Sequence, residues 1–451
     1  MDSDSQASPL SNEPMTPATG VVAADAPPAT RRQRVLVFPL KFLLGMVFCQ
    51  GLLGSVLVVG WTYRLARRMA LQLWFRRSGR PQTAEGFVAF LAAGDWRALA
   101  EWPNWFWRQD FRGILRSRSE AGVGSQAVAI VRGLFSSLWL NFWTGLSALL
   151  CTCALVLPAG ILWWFGWYDG WNNSFNKGYE QAAVGPLISV LGIAWFIGVM
   201  FYVPLAQARQ AVSGHWRGFF DFRFIWRLAR ANRLACVGLA VLYCALAAPL
   251  NILKATPTFW PQMNSALADL PPARALATLN HYYFWCALWM FPAYVALRLV
   301  AARIYARAIL RGVQAGKILA AELHPFERDA LSQLGLLELR PRPQRSRFLR
   351  FVAWSTTRVG RCVAATVMVL LLFAFVAQNY ISEFICYHGA RSWLNQPLVQ
   401  LPWFHYVPAG LKNPWDDLFV LVLFWLLALL AGSIGKVVWR RDSERAIAGR
   451  L

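Results

Sequence analysis

The sequence predicts an all-α, polytopic integral membrane protein, and both composition and hydropathy pattern support this fold class. Hydrophobic residues occupy 57% of the 451 positions and charged residues only 15%, whereas a soluble chain carries roughly a quarter. Seven apolar segments are about long enough to cross a bilayer. The 24 tryptophans and 30 phenylalanines add the aromatic excess typical of membrane interfaces. Because the mean hydropathy is +0.39, the formal charge of +23 favours a membrane topology signal over a nucleic-acid partner.

Residues 1–34 form a tail rich in Ser, Pro and Ala, which is predicted to be disordered because it buries too little apolar surface to fold. The first apolar segment, Phe42–Trp61, lies in a region of residues 35–63 and has basic residues on both sides. A spanning helix normally carries its positive charge on one side. Two interpretations therefore stay open: a spanning helix, or a re-entrant hairpin bent near Gln50–Gly54 that keeps both ends cytoplasmic and is sheltered by neighbouring protein.

Residues 64–133 are predicted to be a cytoplasmic interfacial region. Thr83 is placed to cap a short helix that runs to Gly94. The stretch Trp102–Arg118 is too charged to cross a bilayer, but as a helix it has an apolar stripe beside a stripe of arginines. This pattern is typical of a helix lying in the headgroup layer. The membrane-interface residues predicted here are Trp105, Trp107, Arg108, Arg112 and Arg116.

Six further apolar segments are predicted to be firm transmembrane helices. They are Leu138–Phe165, Gly185–Leu205, Leu234–Leu253, Tyr282–Val300, Cys362–Ile381 and Leu418–Val438. Of the 45 Lys and Arg residues, 36 lie in residues 64–133, 206–233, 298–361 and 436–451. Because positive charge collects on the cytoplasmic side, these stretches and the C-terminus are predicted to be cytoplasmic.

The six helices are therefore predicted to form three hairpins in a bacterial inner membrane. Two hairpins occupy residues 134–300, and the third occupies residues 362–439 before a cytoplasmic tail at 440–451. A basic cytoplasmic region, residues 301–361, lies between them and contains a helix that begins after His324-Pro325. The three predicted outward loops are Trp167–Ala183, Thr256–Asn280 and Tyr387–Asp417.

The cytoplasmic stretch 206–233 contains a second aromatic, arginine-striped helix. Arg223, Arg227 and Arg230 share about 60° of arc on it and complete the predicted membrane-interface residues. Basic clusters beside a membrane attract anionic lipid, each charge contributing about 1 kcal/mol. The predicted partners are thus membrane lipids with anionic headgroups at the cytoplasmic face, with an unidentified protein partner as an alternative and no nucleic acid.

Short motifs at the start of the membrane region resemble a prokaryotic membrane family. Gly60–Arg64 reads G-W-T-Y-R and closes the first apolar segment, while Pro103–Trp105 reads P-N-W and precedes Gly113 and the next segment. Over about residues 40–240 the chain resembles the family catalogued as domain of unknown function 4013, whose members read G-Y-x-x-R and then P-x-W. Trp61 stands where tyrosine is usual, and the acidic residues that commonly follow P-x-W are absent. The family has no assigned activity, so the resemblance implies architecture and no site.

No catalytic motif accompanies this architecture. His281, His388 and His405 fall in predicted outer segments, where a metal site assembled from loops is the least favoured hypothesis. The sequence contains no H-E-x-x-H, no G-x-x-x-x-G-K-[ST] and no G-x-S-x-G, so we predict no enzyme, no metal and no cofactor. The eight cysteines include no C-x-x-C pair, and buried free thiols are favoured over a Cys286–Cys386 disulfide.

Two functional hypotheses remain. The preferred one is a non-catalytic membrane component that acts through its basic cytoplasmic face. The alternative is a transporter or permease-like protein, because polar groups at membrane depth are costly and usually functional. Its predicted polar path comprises Gln378, Asn379 and Glu383, at one end of the segment Cys362–Ile381.

Overall fold

The computed structural model describes residues 31–94, 96, 103, 105, 123–166, 184–338, 347–386 and 396–403. Across these residues the chain is helical and has no β-strand. The longer helices of this part are α1 Arg31–Phe48, α2 Leu52–Arg77, α3 Ala84–Ala93, α4 Val123–Phe165, α5 Val184–Ser213, α6 Phe222–Ala231, α7 Arg233–Ala255, α8 Pro272–Gln314, α9 Pro325–Gln333 and α10 Arg347–Cys386. Helices satisfy their backbone hydrogen bonds internally, which is what an apolar segment in lipid requires.

Five of these helices, α4, α5, α7, α8 and α10, are long and apolar enough to cross a membrane. They contain the first five of the six predicted transmembrane segments, whose helical character is thereby confirmed. Each helix continues beyond its apolar segment; α8, for example, runs from Pro272 to Gln314. The sixth segment, Leu418–Val438, lies outside the described residues.

The helix α2 is the centre of the bundle. It packs against α4, α5 and α8 and buries side chains on all sides. The side-chain amide of Gln50, just before α2, donates to the Phe284 carbonyl at 3.5 Å, and the Trp74 indole donates to the Ala306 carbonyl at 3.0 Å. The helices α2 and α8 are therefore parallel. A helix buried on every side needs little amphipathic pattern, since its whole circumference faces protein.

Two glycines bring α2 and α4 into backbone contact. A methyl group at Gly60 would overlap the carbonyl oxygen of Asn141, and a methyl group at Gly145 would overlap the carbonyl oxygen of Val56. Such close approach is typical of membrane helix pairs with small residues at their crossing. The pairing of Arg64 with Ser137 and Asn141, at 2.7 Å in each case, shows that the two helices are antiparallel.

The first apolar segment is a helical hairpin. The helix α1 ends at Phe48, and α2 begins at Leu52 after an extended Gly51. The rings of Phe42 and Trp61 lie 5.6 and 6.2 Å from the same ring, that of Phe291. In one continuous helix, residues 42 and 61 would be about 28 Å apart. The chain therefore reverses at residues 49–51, as the hairpin interpretation predicts.

One part of a predicted outward loop lies inside the bundle, and here the prediction was wrong. Residues 396–403 belong to the predicted loop Tyr387–Asp417, but Leu398, Val399 and Leu401 are among the most buried residues of the described chain. This buried segment, Gln396–Trp403, contacts α2, α5 and α8 through its backbone carbonyls. An irregular backbone is tolerated at membrane depth when surrounding protein satisfies its hydrogen bonds.

Local capping signals are confirmed at two helix starts. The Thr83 hydroxyl accepts a hydrogen bond from the Gly86 amide at 3.0 Å, and α3 ends beside Gly94. The helix α9 begins at Pro325 directly after His324, with Glu327 accepting from the His324 amide at 3.1 Å. Side-chain acceptors satisfy the free amides of a first turn, so these boundaries follow from local chemistry.

Candidate functional site

Arg298 is the most unusual residue of the bundle, because it carries a charge into an apolar interior. It lies on α8, sixteen residues after Tyr282, a rise of about 24 Å from the predicted start of the apolar segment. Its side chain is only 4% exposed. The guanidinium donates to the Gln207 amide oxygen and to the carbonyls of Leu398 and Val399, at 3.3 and 2.5 Å for the two carbonyls.

The buried segment Gln396–Trp403 is held by side chains from three helices, α2, α5 and α8. The Gln207 amide of α5 donates to the Val399 carbonyl at 2.7 Å and to the Thr152 hydroxyl of α4 at 2.9 Å. The Tyr294 hydroxyl of α8 donates to the Gln400 carbonyl at 3.2 Å, and the Ser55 hydroxyl of α2 donates to the Pro402 carbonyl at 3.4 Å. Together with Arg298, these donors satisfy a backbone that has no helix of its own.

Three tyrosines complete this polar cluster. Tyr63, Tyr243 and Tyr294 are each no more than 4% exposed, and all three lie near the charge of Arg298. The Tyr294 ring also lies under the guanidinium, with its centroid 4.5 Å from Cζ. The Tyr243 hydroxyl is a hydrogen-bond partner of the Arg298 guanidinium, whereas the Tyr63 hydroxyl makes no hydrogen bond within the described chain. The cluster around Arg298 therefore combines a buried charge with three buried phenol groups.

A second buried cluster lies at the end of α5, where Arg209 is paired with two carboxylates. Its guanidinium lies 2.7 Å from Asp221 and 3.6 Å from Glu327, and it also donates to the Tyr305 hydroxyl at 3.2 Å. Tyr305 in turn donates to Glu327 at 2.5 Å. Burial raises the pKa of Glu327, and the neighbouring Arg209 opposes that rise. This cluster connects α9 to the bundle through paired opposite charges.

His324 lies next to the Arg209 cluster. Its ring centroid is 6.2 Å from that of His215, and its Nδ1 accepts from the Phe326 amide at 3.4 Å. Burial, followed by the positive charges of His215, Arg209 and Arg67, lowers the pKa of His324 to about 4. A neutral ring at this position is suited to a capping role and resists protonation near pH 7.

The predicted interface residues of the second aromatic helix are exposed on α6. Arg223, Arg227 and Arg230 all face away from the bundle, and Arg227 forms a 2.8 Å ion pair with Glu322. The opposite side of α6 is buried against α5 and α8 through Phe224, Ile225, Leu228 and Ala229. The arrangement agrees with an amphipathic helix lying flat on the bundle.

The stretch Trp102–Arg118 is described only at Pro103 and Trp105. Trp105 is 3% exposed and stacks on Trp61 with ring centroids 4.5 Å apart, so its indole contacts protein and not the headgroup layer expected for it. The Trp61 indole donates to the Pro103 carbonyl at 2.8 Å. The two motifs of the family resemblance thus contact each other. The predicted interface residues Trp107, Arg108, Arg112 and Arg116 lie outside the described residues.

The predicted polar path is only partly described. Asn379 is buried and donates to the Phe375 carbonyl at 2.7 Å, which is a bond within its own helix. The Gln378 amide oxygen and the Ser382 hydroxyl are buried and make no hydrogen bond. The side chain of Glu383 is not among those described. These residues therefore lie together near the C-terminal end of α10, and they do not define a continuous path through the bundle.

The other predicted candidates show no assembled site. His281 accepts from the Trp285 indole at 3.1 Å, while His388 and His405 lie outside the described residues. No group of His, Cys, Asp and Glu residues suited to a metal is present in the part of the chain that the structure describes. Cys286 is a buried free thiol, and Cys386 is not described at the side-chain level.

Sequence reasoning missed Arg298, Gln207 and the buried segment Gln396–Trp403. Arg298 and the region beginning at residue 206 were counted with the cytoplasmic charge and polar segments. A signal was present, because Arg298 interrupts the run Y-V-A-L-R-L-V-A-A, and Gln396–Trp403 reads Q-P-L-V-Q-L-P-W. An arginine amid apolar neighbours and an apolar stretch in an outer loop both indicate burial.

No family model, no curated protein and no solved structure matches this chain. The resemblance to the family catalogued as domain of unknown function 4013 therefore stays a prediction.

Proposed function

We propose that this protein is a non-catalytic component of a bacterial inner membrane, whose basic cytoplasmic face binds lipids with anionic headgroups. The observation that carries the proposal is the exposed side of α6. It presents Arg223 and Arg230 together with the aromatic side chains of Phe222 and Trp226, which are 50% and 40% exposed, and Trp216, in the short 3-10 helix before α6, is 49% exposed. Arginine and aromatic side chains on one outward surface are suited to the headgroup layer. We refer to these five residues as the α6 surface.

The proposed orientation places the α6 surface in the cytoplasm. Most of the Lys and Arg residues lie on the side to which α6 belongs, and this asymmetry sets the orientation of polytopic proteins. The α1–α2 hairpin then enters and leaves on the cytoplasmic side, as the re-entrant interpretation requires. The C-terminus is cytoplasmic in the same arrangement.

The chemistry of the α6 surface favours an anionic lipid over a neutral one. Arg227 is already paired with Glu322, whereas Arg230 lies 5.2 Å from the Trp226 ring and leaves its charge uncompensated by a carboxylate in the described residues. A lipid phosphate near Arg223 and Arg230 gains about 1 kcal/mol per charge. The indole and phenyl rings add apolar contact at the level of the glycerol backbone.

The test is the thermal stability of the full chain in neutral detergent, with phosphatidylglycerol or phosphatidylcholine added at equal mole fraction. We expect phosphatidylglycerol to raise the unfolding midpoint more than phosphatidylcholine does. In the Arg223→Glu/Arg230→Glu variant this difference should disappear, since two favourable charges become repulsive. The control is Arg274→Glu, an exposed arginine in the predicted loop on the other side. A full phosphatidylglycerol response in the double variant contradicts the proposal.

Transport is the second candidate, and the observation that favours it is the pair of buried, unbonded polar atoms on Gln378 and Ser382. Buried polar groups normally have partners, so these atoms are suited to a hydrated substrate path. The test is labelling of Ser382→Cys by a membrane-impermeant maleimide, in a background without the native cysteines. Labelling comparable to an exposed position favours transport. Protection equal to that of Val376→Cys, a fully buried position on the same helix, removes this candidate.

A further inference from the structure

Arg67 of α2 is a cation that the fold holds in one place. Its guanidinium lies on the Phe326 ring of α9, with Cζ 3.9 Å from the ring centroid. It also adjoins Gly214, where an added methyl group would lie 2.9 Å from Nη1. Gly214 has a φ of +73°, which favours glycine, and its missing side chain lets the guanidinium approach the backbone. A guanidinium fixed in this way binds an anion with little loss of side-chain freedom.

No carboxylate neutralises Arg67 within the described chain, where this residue takes part in no ion pair and no hydrogen bond. The two carboxylates of the neighbouring cluster, Asp221 and Glu327, both face Arg209. The Nε of Arg67 is buried and unbonded, whereas its Nη groups reach solvent. Because a guanidinium pairs best with an oxyanion, these Nη groups are suited to bind one that comes from outside the chain.

Two histidines adjoin the same guanidinium. His215 directly follows Gly214, and His324 lies two residues before Phe326, so both belong to segments that Arg67 contacts. Their ring centroids are 6.2 Å apart. Two hydrogen bonds of about 2.9 Å to one anion can bridge such a separation. The Nδ1 of His324 accepts from the Phe326 amide, so its neutral ring carries the proton on Nε2 and offers that N–H as a donor.

The three side chains border one open site at the end of the bundle. His215 is exposed, and Arg67 and His324 are half-buried, so a solute reaches all three from the same side. The two hydrogen bonds that fix the register of α2 against α8 place Arg67 level with Val300, where a predicted apolar segment ends. In the proposed orientation this is the depth of the cytoplasmic headgroups.

The number of donor groups favours phosphate over carboxylate. A ligand at this site meets donors from three elements, which are α2, the turn after α5 and the start of α9. A phosphate group offers at least three acceptor oxygens, whereas a carboxylate offers two. One phosphate group can therefore accept from all three side chains at once.

We propose that Arg67, His215 and His324 form a binding site for one phosphate group. The Arg67 guanidinium supplies the charge and its Nη–H donors, and the two imidazole rings supply N–H donors. The bound group joins α2, α5 and α9, and binding therefore stabilises the packing of α9 on the bundle. The site shares no charged residue with the α6 surface, so it does not depend on lipid binding there.

The experiment measures the unfolding midpoint of the full chain in neutral detergent, while sodium phosphate replaces sodium gluconate at constant ionic strength. We expect the midpoint to rise and to saturate, because a ligand that binds only the folded state stabilises it by mass action. The general stabilising effect of phosphate on proteins does not saturate and is common to all variants. A parallel series adds phosphatidic acid, whose headgroup is a phosphate monoester, at increasing mole fraction.

The two series identify the source of the phosphate group. A saturable response to sodium phosphate assigns the site to a soluble phosphate. A response to phosphatidic acid alone assigns it to a lipid headgroup. The absence of a saturable response in both series overturns the proposal.

The variants separate a phosphate site from a purely structural cluster. Arg67→Gln should abolish the saturable response. His215→Gln changes an exposed side chain that makes no hydrogen bond in the described chain, so this variant should fold. Its half-saturation concentration should rise about tenfold, the usual effect of losing one hydrogen bond to a charged ligand. An unchanged half-saturation in His215→Gln overturns the assignment, and that outcome is readable even if Arg67→Gln does not fold.

Two controls complete the experiment. The matched control is Arg77→Gln, an exposed arginine on the same helix, which should respond like the unmodified protein. The Arg223→Glu/Arg230→Glu variant should keep the phosphate response, because the two sites have no charged residue in common. Failure of lipid binding at the α6 surface and failure of the phosphate site are therefore distinguishable.

Discussion

The carboxylate of Glu327 connects the first turn of a helix to the core of the bundle. One oxygen accepts from the backbone amide of His324 at 3.1 Å, and the other accepts from the Tyr305 hydroxyl at 2.5 Å. The same side chain faces the Arg209 guanidinium and is completely buried. Capping, hydrogen bonding and charge pairing thus depend on one residue, which makes its neighbourhood sensitive to substitution.

We expect Glu327→Gln to destabilise the folded protein by about 3 kcal/mol, the lower end for breaking a buried pair, because Arg209 keeps Asp221 as a partner. The measurement is the free energy of unfolding in mixed micelles titrated with sodium dodecyl sulfate. The control is Glu322→Gln, which breaks the exposed ion pair with Arg227 and should cost less than about 1 kcal/mol. Equal losses of unfolding free energy in the two variants would show that burial does not determine the energetic cost of removing the carboxylate.

His324 gives the protein a predicted sensitivity to acid. Its folded-state pKa of about 4 lies below the ordinary value near 6.5, so the folded state binds fewer protons than the unfolded state. The stability it contributes is present above about pH 6.5 and is lost as the pH falls towards about 4. A difference of one proton bound between the folded and unfolded states changes the free energy of unfolding by roughly 1.4 kcal/mol per pH unit. Because His324 is half-buried, we expect its contribution to be only a fraction of that value.

The variant His324→Asn tests this, since asparagine keeps a capping oxygen and does not titrate. The loss of unfolding free energy between pH 7 and pH 5 should be smaller in the variant than in the unmodified protein. The raised pKa of Glu327 acts in the opposite direction at lower pH but is common to both proteins, so their difference isolates His324. Identical pH profiles would assign the acid sensitivity to other groups.

At the scale of elements, the decisive contact is the crossing of α2 and α4. Gly60 and Gly145 let two backbones approach so closely that neither position has room for a methyl group. Van der Waals contact between helices, and not their hydrophobicity, drives such pairing in lipid. The crossing in turn lets Arg64 of α2 donate to the Ser137 hydroxyl of α4, and it places the Trp61 indole where it donates to the Pro103 carbonyl.

We expect Gly145→Ala to destabilise the fold by about 1–3 kcal/mol, because its methyl group must displace the backbone of α2 at Val56. The matched control is Gly198→Ala on α5, where an added methyl group meets nothing within 4 Å. That change should be neutral or stabilising by up to about 1 kcal/mol, the gain in helix propensity. Unfolding of both variants in mixed micelles measures the contrast, and a loss of similar size at Gly198 would argue against a specific crossing.

At the scale of the whole molecule, the α1–α2 hairpin predicts the side of the N-terminus. Ser3→Cys, in the tail outside the described residues, should be protected from an impermeant maleimide in spheroplasts and labelled after lysis. Asn264→Cys, exposed in the predicted outward loop Thr256–Asn280, should be labelled in intact spheroplasts. The background lacks the native cysteines. Labelling of residue 3 without lysis would place the tail outside and contradict the re-entrant arrangement.

Hydropathy and charge along the chain were sufficient to predict that the protein is a bundle of long apolar helices. Five predicted transmembrane segments are helices of sufficient length, and the caps at Thr83 and His324 lie where local chemistry predicts them. The first apolar segment left two interpretations open, because flanking charge does not report whether a chain reverses at Gln50. Contacts of Phe42 and Trp61 with one ring show that the chain reverses between them.

The sequence by itself determined which segments are helical and apolar, since partition between water and lipid depends on composition averaged over about 20 residues. Only the tertiary structure decided which polar groups meet inside the bundle. Arg298, Gln207 and the segment Gln396–Trp403 are separated by about 90 to 200 positions in the chain, and no local pattern records their pairing. Their contact depends on where helices cross, because a buried charge and an irregular backbone can each be satisfied only by partners that the packing supplies.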